Sequence, residues 1–209
     1  MSTATAALLD TIRSDQQTFR TALNALANPG RVDLLATASR SDAPTLDGNR
    51  FTGPFLMALL DHEVSFAVEP GPDAGAFAAY ILKRSRASIV SADRADFILA
   101  DAGRLDPQLP LELRAGSFDY PDDSATLIVQ VPTLDQEAAN DLTVSLEGPG
   151  IPGRRVVKLS GISAELLAAR DRANAHYPLG IDLIVIDLEG RIIGLPRTTQ
   201  VTIVTGVEA

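Results

Sequence analysis

The sequence predicts an α/β fold built on a mixed β-sheet. Segments with helical apolar spacing alternate with short strand-like runs over most of the chain. The last third holds consecutive strand-like runs instead, so the sheet is not purely parallel. Apolar residues make up 45% of 209 residues, enough for one domain with a substantial core and too many for wholesale disorder. No internal repeat, low-complexity tract or linker divides the chain, so residues 1–209 are read as a single domain.

Phe19, Ala22, Leu23 and Leu26 recur at i, i+3, i+4 and i+7, one face of a helix over 15–27. Ser14 or Asp15 can cap it, and Asn28-Pro29-Gly30 stops it. Residues 1–14 are expected to be a flexible or loosely packed N-terminal segment. RVDLLATA (31–38) alternates like a strand, and 46–50 reads as loop. A short helix follows over 52–61, with Thr52 or Gly53 as cap and Pro54 in its first turn. EVSFAV (63–68) is a strand. DAGAFAAYILKRS (73–85) is a helix opening on Asp73 and ending in cations that suit its C-terminus. Short strands are expected at 87–90 and 96–100, then loop over 103–116, then a buried strand over 124–131. LTVSLEG and RRVVKLSGI are strands joined through GPGIPG. A last helix spans 163–176, with Leu166, Leu167 and Arg170 at helical spacing. IDLIVID, RIIGL and TTQVTIV close the chain as strands, the first two turning at Glu189-Gly190.

Composition excludes several chemistries. There is no cysteine, hence no disulfide, no thiolate-held iron–sulfur cluster and no cysteine nucleophile in this chain. Net charge is −9 and the pI near 4.6, the opposite of a nucleic-acid footprint, although sixteen arginines allow a local anion site. The N-terminus lacks the basic region of a secretory signal, and no apolar run reaches the roughly 18 residues of a membrane span. A cytoplasmic location is expected, with neither nucleic acid nor membrane as partner.

Four short motifs bear on chemistry, and so do the lysines and histidines. GPGIPG (148–153) fits G-x-G-x-x-G, but strand-like sequence follows it where a dinucleotide site needs a helix, so it reads as a tight connection between strands. Asp61-His62-Glu63 alternate faces on an extended chain, poor geometry for one metal, and read as solvated charges at a helix-to-strand junction. In GSFDYPDDSATL (116–127), Asp122 and Asp123 lie in turn chemistry that leads into a buried strand; the pair can serve as acid and base, hold a metal, or simply form the turn. In LPRTT (195–199), Arg197, Thr198 and Thr199 can hold an anion or can be polar residues of a sheet edge. The two lysines, Lys83 and Lys158, lie outside any cofactor-binding loop, which argues against an internal aldimine. G-x-S-x-G is absent, and His176 beside YPLG suits a helix end better than a triad.

Seven segments occur in a set order: FRTALNALANPGR, LLDHEVSF, ADFILA, GSFDYPDDSATL, LEGPGI, YPLGIDLI and LPRTT. This ordered set, spanning about residues 15–200, resembles the PhnH subunit family of the bacterial carbon–phosphorus lyase machinery. The resemblance implies a three-layer fold like the large domain of fold-type I pyridoxal phosphate-dependent transferases, without the cofactor. It implies a homodimer that works with the G, I and J subunits and is inactive alone. The implied reaction is a transferase step of phosphonate catabolism. A phosphonate oxygen attacks the anomeric carbon of ATP, adenine leaves, and a ribose 1-phosphonate 5-triphosphate forms. ATP, with magnesium, is then a substrate of the complex; no cofactor or metal belongs to this chain. Cleavage of the C–P bond falls to the cysteine-bearing J subunit, consistent with the lack of cysteine here.

Such a displacement needs cations for phosphonate and triphosphate, a carboxylate near the oxocarbenium-like carbon, and an acid for adenine. Arg197 with Thr198 or Thr199 would bind substrate, and Asp122 and Asp123 are the candidate catalytic carboxylates. Two other readings stand beside this one: a catalytically silent assembly subunit, favoured by the scarcity of histidine, cysteine and lysine, and a stand-alone small-anion-binding protein.

Overall fold

The computed structural model describes residues 3–36, 44–134 and 142–204. Its elements in chain order are α1 (Thr3–Ala27), β1 (Asp33–Leu34), α2 (Thr52–Leu59), β2 (Ser65–Val68), α3 (Ala74–Ser85), β3 (Ser88–Ile89), β4 (Phe97–Asp101), β5 (Thr126–Val131), β6 (Leu142–Glu147), β7 (Arg155–Leu159), α4 (Ala164–Ala173), β8 (Asp182–Asp187), β9 (Arg191–Leu195) and β10 (Gln200–Ile203). Short 3-10 turns lie at Ala92–Arg94 and Leu109–Leu111.

A seven-stranded sheet in the order β1-β9-β8-β5-β4-β2-β3 forms the centre. Strands β8, β5, β4, β2 and β3 run parallel, and β9 joins β8 antiparallel through the Glu189-Gly190 hairpin. The sheet is mixed, as the run of strands near the C-terminus indicated. A second, antiparallel sheet has the order β10-β6-β7.

Period-two alternation sorts each central strand between two cores. Leu127, Val129 and Val131 of β5 pack with α4 and the small sheet, through Leu166, Leu167, Val144, Leu146 and Leu159. Ile128 of the same strand faces the other way, with Phe55, Phe77 and Ile81 from α2 and α3 and Ala22 and Ala25 from α1. Three phenylalanines, Phe55, Phe66 and Phe77, are wholly buried there; each contributes about 2–3 kcal/mol by removal from water. Gly194 on β9 lets α1 lie against the sheet: a β-carbon there would sit 2.6 Å from the Ala25 carbonyl.

Local details differ from the sequence reading at four places. Helix α1 starts at Thr3 rather than Asp15, so the segment expected to be flexible or loosely packed is its first half; Leu9 and Ile12 on it are exposed. The strand expected over 31–38 is reduced to two residues, and its last two positions lie outside the described residues. Neither Thr52 nor Gly53 caps α2; Phe51 stands at the cap, and the Thr52 hydroxyl is drawn instead to Gln130. Helix α4 ends at Ala173, short of His176.

Candidate functional site

Arg197 lies at the end of β9, beside the amino-terminal ends of the parallel strands β5 and β8. Its backbone N–H and its guanidinium both reach Asp182, the first residue of β8: N to Oδ1 is 2.8 Å and Nη2 to Oδ2 is 2.8 Å. Nη1 donates to the Pro121 carbonyl at 2.8 Å and more weakly to that of Pro178 at 3.4 Å. Nη2 also reaches the Ser124 hydroxyl, and Nε approaches Asp182 Oδ1 at 3.4 Å. All three guanidinium nitrogens are thus spent within the chain. Arg197 stitches together three of the sequence segments singled out above: the YPDDS turn, YPLGID and LPRTT.

The acidic pair sits in that same turn without meeting the arginine. Asp122 and Asp123 are exposed. Asp123 approaches Arg114 at 3.6 Å, and its N–H closes the turn on the Tyr120 carbonyl. Arg114 in turn pairs with Asp96, which accepts from both the N–H and the hydroxyl of Ser65, at 2.7 and 2.6 Å. Burial pushes the Asp96 carboxyl up, but the Ser65 bonds and the Arg114 charge outweigh it and hold it below its usual value. The amino-terminal edge of the sheet is therefore a lattice of ion pairs and turns, in which the Arg114 Nε alone of these groups is buried without a partner.

Thr199 is buried. Its N–H closes a turn on Pro196, its carbonyl accepts from Arg170, and its hydroxyl has no partner. Arg170, 1% exposed on α4, also binds the carbonyls of Leu195 at 3.2 Å and Pro196 at 2.5 Å, and Asp171 at 2.8 Å. Burial lowers its pKa, and the Asp171 and Asp182 carboxylates act against that. Arg197 and Thr199 line a shallow cleft of about 240 Å³ with Asp171, Asn174, Gln200 and Val201; Thr198 and the Asp122–Asp123 pair are not in its wall.

At the opposite, carboxyl-terminal edge of the parallel strands lies a cleft of about 260 Å³. Asp101 ends β4, Gln130 and Val131 end β5, Leu188 follows β8, and Asp47 and Asn49 come from the loop before α2. Carboxyl ends of strands are where open α/β sheets bind ligands, because the connecting loops diverge there. Register pairs Asp101 with Gln130, which puts both side chains on one face. Gln130 is 2% exposed; its Oε1 accepts from the Thr52 hydroxyl, and its amide nitrogen has no partner in the chain. Asp47 is bound by Arg104, which also lies 3.8 Å from Asp101.

The remaining sequence candidates fall elsewhere. Asp61, His62 and Glu63 are exposed, and Asp61 accepts from the Glu63 N–H in a local turn. GPGIPG joins β6 to β7 and packs on the end of α1, where Arg155 donates to the Pro29 carbonyl at 2.6 Å. Lys83 and Lys158 are exposed, on α3 and β7. Among the described residues, no three histidine, cysteine, aspartate or glutamate side chains gather in a way that would hold a metal, and no helix is long and apolar enough to cross a membrane.

Comparison with known proteins adds the family. The model of the PhnH bacterial phosphonate metabolism protein matches residues 6–202. The chain belongs to the PhnH family. It is 31% identical over 188 residues to a Stutzerimonas stutzeri protein assigned by name as the C-P lyase subunit HtxG, covering 90% of this chain and 86% of that one. It is 28% identical over 195 residues to the PhnH subunit of alpha-D-ribose 1-methylphosphonate 5-triphosphate synthase from Rhizobium meliloti, covering 93% of each chain. As a PhnH-family protein it belongs with the bacterial phosphonate metabolism proteins, and both relatives carry the names of subunits of larger enzymes.

Three residues central to this geometry stood outside the sequence reading of the site. Asp182 opens a strand with an acid, Arg170 interrupts the apolar face of a helix, and Gln130 interrupts the apolar run ATLIVQV. Each is a polar residue at a position whose neighbours predict burial, which is the signal that finds them.

Proposed function

We propose that this chain acts as a subunit of the carbon–phosphorus lyase assembly at the step that forms ribose 1-phosphonate 5-triphosphate from ATP and an alkylphosphonate. In that step the C1′–O bond to the phosphonate forms as the C1′–N9 bond breaks, and adenine leaves with the bonding pair and a proton. The name of the Rhizobium relative supports the step. The chain's own contribution is to build the assembly, with Arg197 holding the subunit's shape rather than the phosphonate. The observation that carries this is the closed shell of Asp182, Ser124, Pro121 and Pro178 around Arg197, which leaves no free donor for an anion. The exposure of Asp122 and Asp123 points the same way, since neither lies in the cleft that Arg197 lines.

In this reading the chain is a cytoplasmic homodimer contacting the G, I and J subunits. Its fold derives from the large domain of a pyridoxal phosphate-dependent transferase without retaining the cofactor; ATP and magnesium enter as substrates of the complex. The test is reconstitution with and without this chain, following adenine release from ATP and methylphosphonate by chromatography. Release requires the chain together with the other subunits and is absent with the chain alone. Full release by an assembly lacking it contradicts the proposal. A stand-alone anion-binding role predicts heat on titrating the isolated chain with methylphosphonate, and the filled Arg197 shell predicts none.

A further inference from the structure

The cleft at the carboxyl ends of β4 and β5 is built for something other than an anion. Three features define it. Gln130 is buried with one amide atom satisfied by Thr52 and the other unpartnered. Asp47 and Asp101 bring two carboxylates, with Arg104 between them. Val131, Pro132 and Leu188 supply apolar wall. A buried amide without a partner is costly to the fold, so its persistence next to an open cleft points to a ligand that completes it.

We infer that this cleft binds a small uncharged polyhydroxylated ring, of the size and chemistry of a pentose. The unpartnered Gln130 nitrogen is a donor and needs an acceptor. A protonated amine has none. A phosphate or phosphonate has acceptors but meets two carboxylates against one guanidinium. A hydroxylated ring fits each group: its oxygens accept from Gln130, its hydroxyls donate to Asp101 and Asp47, and its carbon face lies on Val131, Pro132 and Leu188. Turning the Gln130 amide over would leave an oxygen free instead; a hydroxyl satisfies either orientation, an ammonium only that one. The cleft is small by the standard of drug-sized pockets, which begin near about 300 Å³, as suits a single ring.

This inference stands apart from the role of the complex, because the isolated full-length chain tests it. The side-chain amide resonance of Gln130 is followed by NMR while D-ribose, inorganic phosphate or ethylammonium is added. The expected result is a saturable shift with ribose and none with either ion. Gln130→Met is expected to weaken ribose binding about tenfold or more, the equivalent of losing one buried hydrogen bond. Should Gln130→Met fail to fold, Asp101→Ala, at a partly exposed position, is expected to weaken binding in the same direction. No saturable shift with ribose, an equal response to phosphate, or unchanged ribose binding in the variants would overturn it.

Discussion

Arg197 shows how a residue that reads as a ligand fork becomes a rivet. Its partners are Asp182, Ser124 and Pro121, 15, 73 and 76 positions away in sequence, so nothing local to LPRTT shows that they fill it. Both members of the Arg197–Asp182 pair are largely buried, at 16% and 20% side-chain exposure. Removing one leaves the other charge uncompensated, and Asp182→Asn is expected to cost about 2–3 kcal/mol. Thermal unfolding should therefore begin some ~5–10 °C lower. Asp96 makes a second prediction, on pH. Its pKa is held below the usual carboxylate value in the fold, so its stabilisation is present above the unfolded pKa and is lost as pH falls through the folded one. Urea denaturation of Asp96→Asn should show lower stability at neutral pH and a flatter decline below about pH 4 than the parent chain. Arg197 was singled out from the sequence, whereas Asp182 and Asp96 were not, because pairing is a property of the tertiary fold.

The elements themselves were largely legible, because their apolar periods are clean. ATLIVQV reads as a buried strand and is β5; the Leu166 and Leu167 spacing reads as a helix and is α4, capped where Ser163 accepts from the Leu166 N–H. The start of α1 was not legible, since Leu9 and Ile12 lie on an exposed part of that helix and leave no core-facing stripe to read. GPGIPG was rightly read as a strand connection, but its docking was hidden. Gly150 has φ 81°, and a β-carbon there would stand 2.2 Å from the Ala27 carbonyl at the end of α1. Gly150→Ala is expected to destabilise the chain by about 2–4 kcal/mol, through a left-handed backbone and a clash with main chain that cannot yield. Hydrogen exchange should place the loosening at the end of α1 and at the β6–β7 connection, and loosening spread evenly over the sheet would contradict that assignment.

On the scale of the whole molecule, the two edges of the parallel strands divide the work. The amino-terminal edge gathers turns and ion pairs of segments that mark the family, and they enclose the Arg197 guanidinium. The carboxyl-terminal edge opens a cleft with an unsatisfied buried amide. The site residues read from sequence fell on the first edge, because arginine, aspartate and threonine in loops look alike whether they hold a ligand or a fold. The account rests on Arg197 serving structure, and Arg197→Lys in the reconstituted complex tests it most directly, since lysine keeps the charge but not the fork. Adenine released from ATP and methylphosphonate is measured per assembled complex, with assembly followed by size-exclusion chromatography. The account predicts a chain that melts earlier and enters fewer complexes, each as active as the parent. Complexes formed in full yield that release no adenine would put Arg197 on the substrate and contradict it.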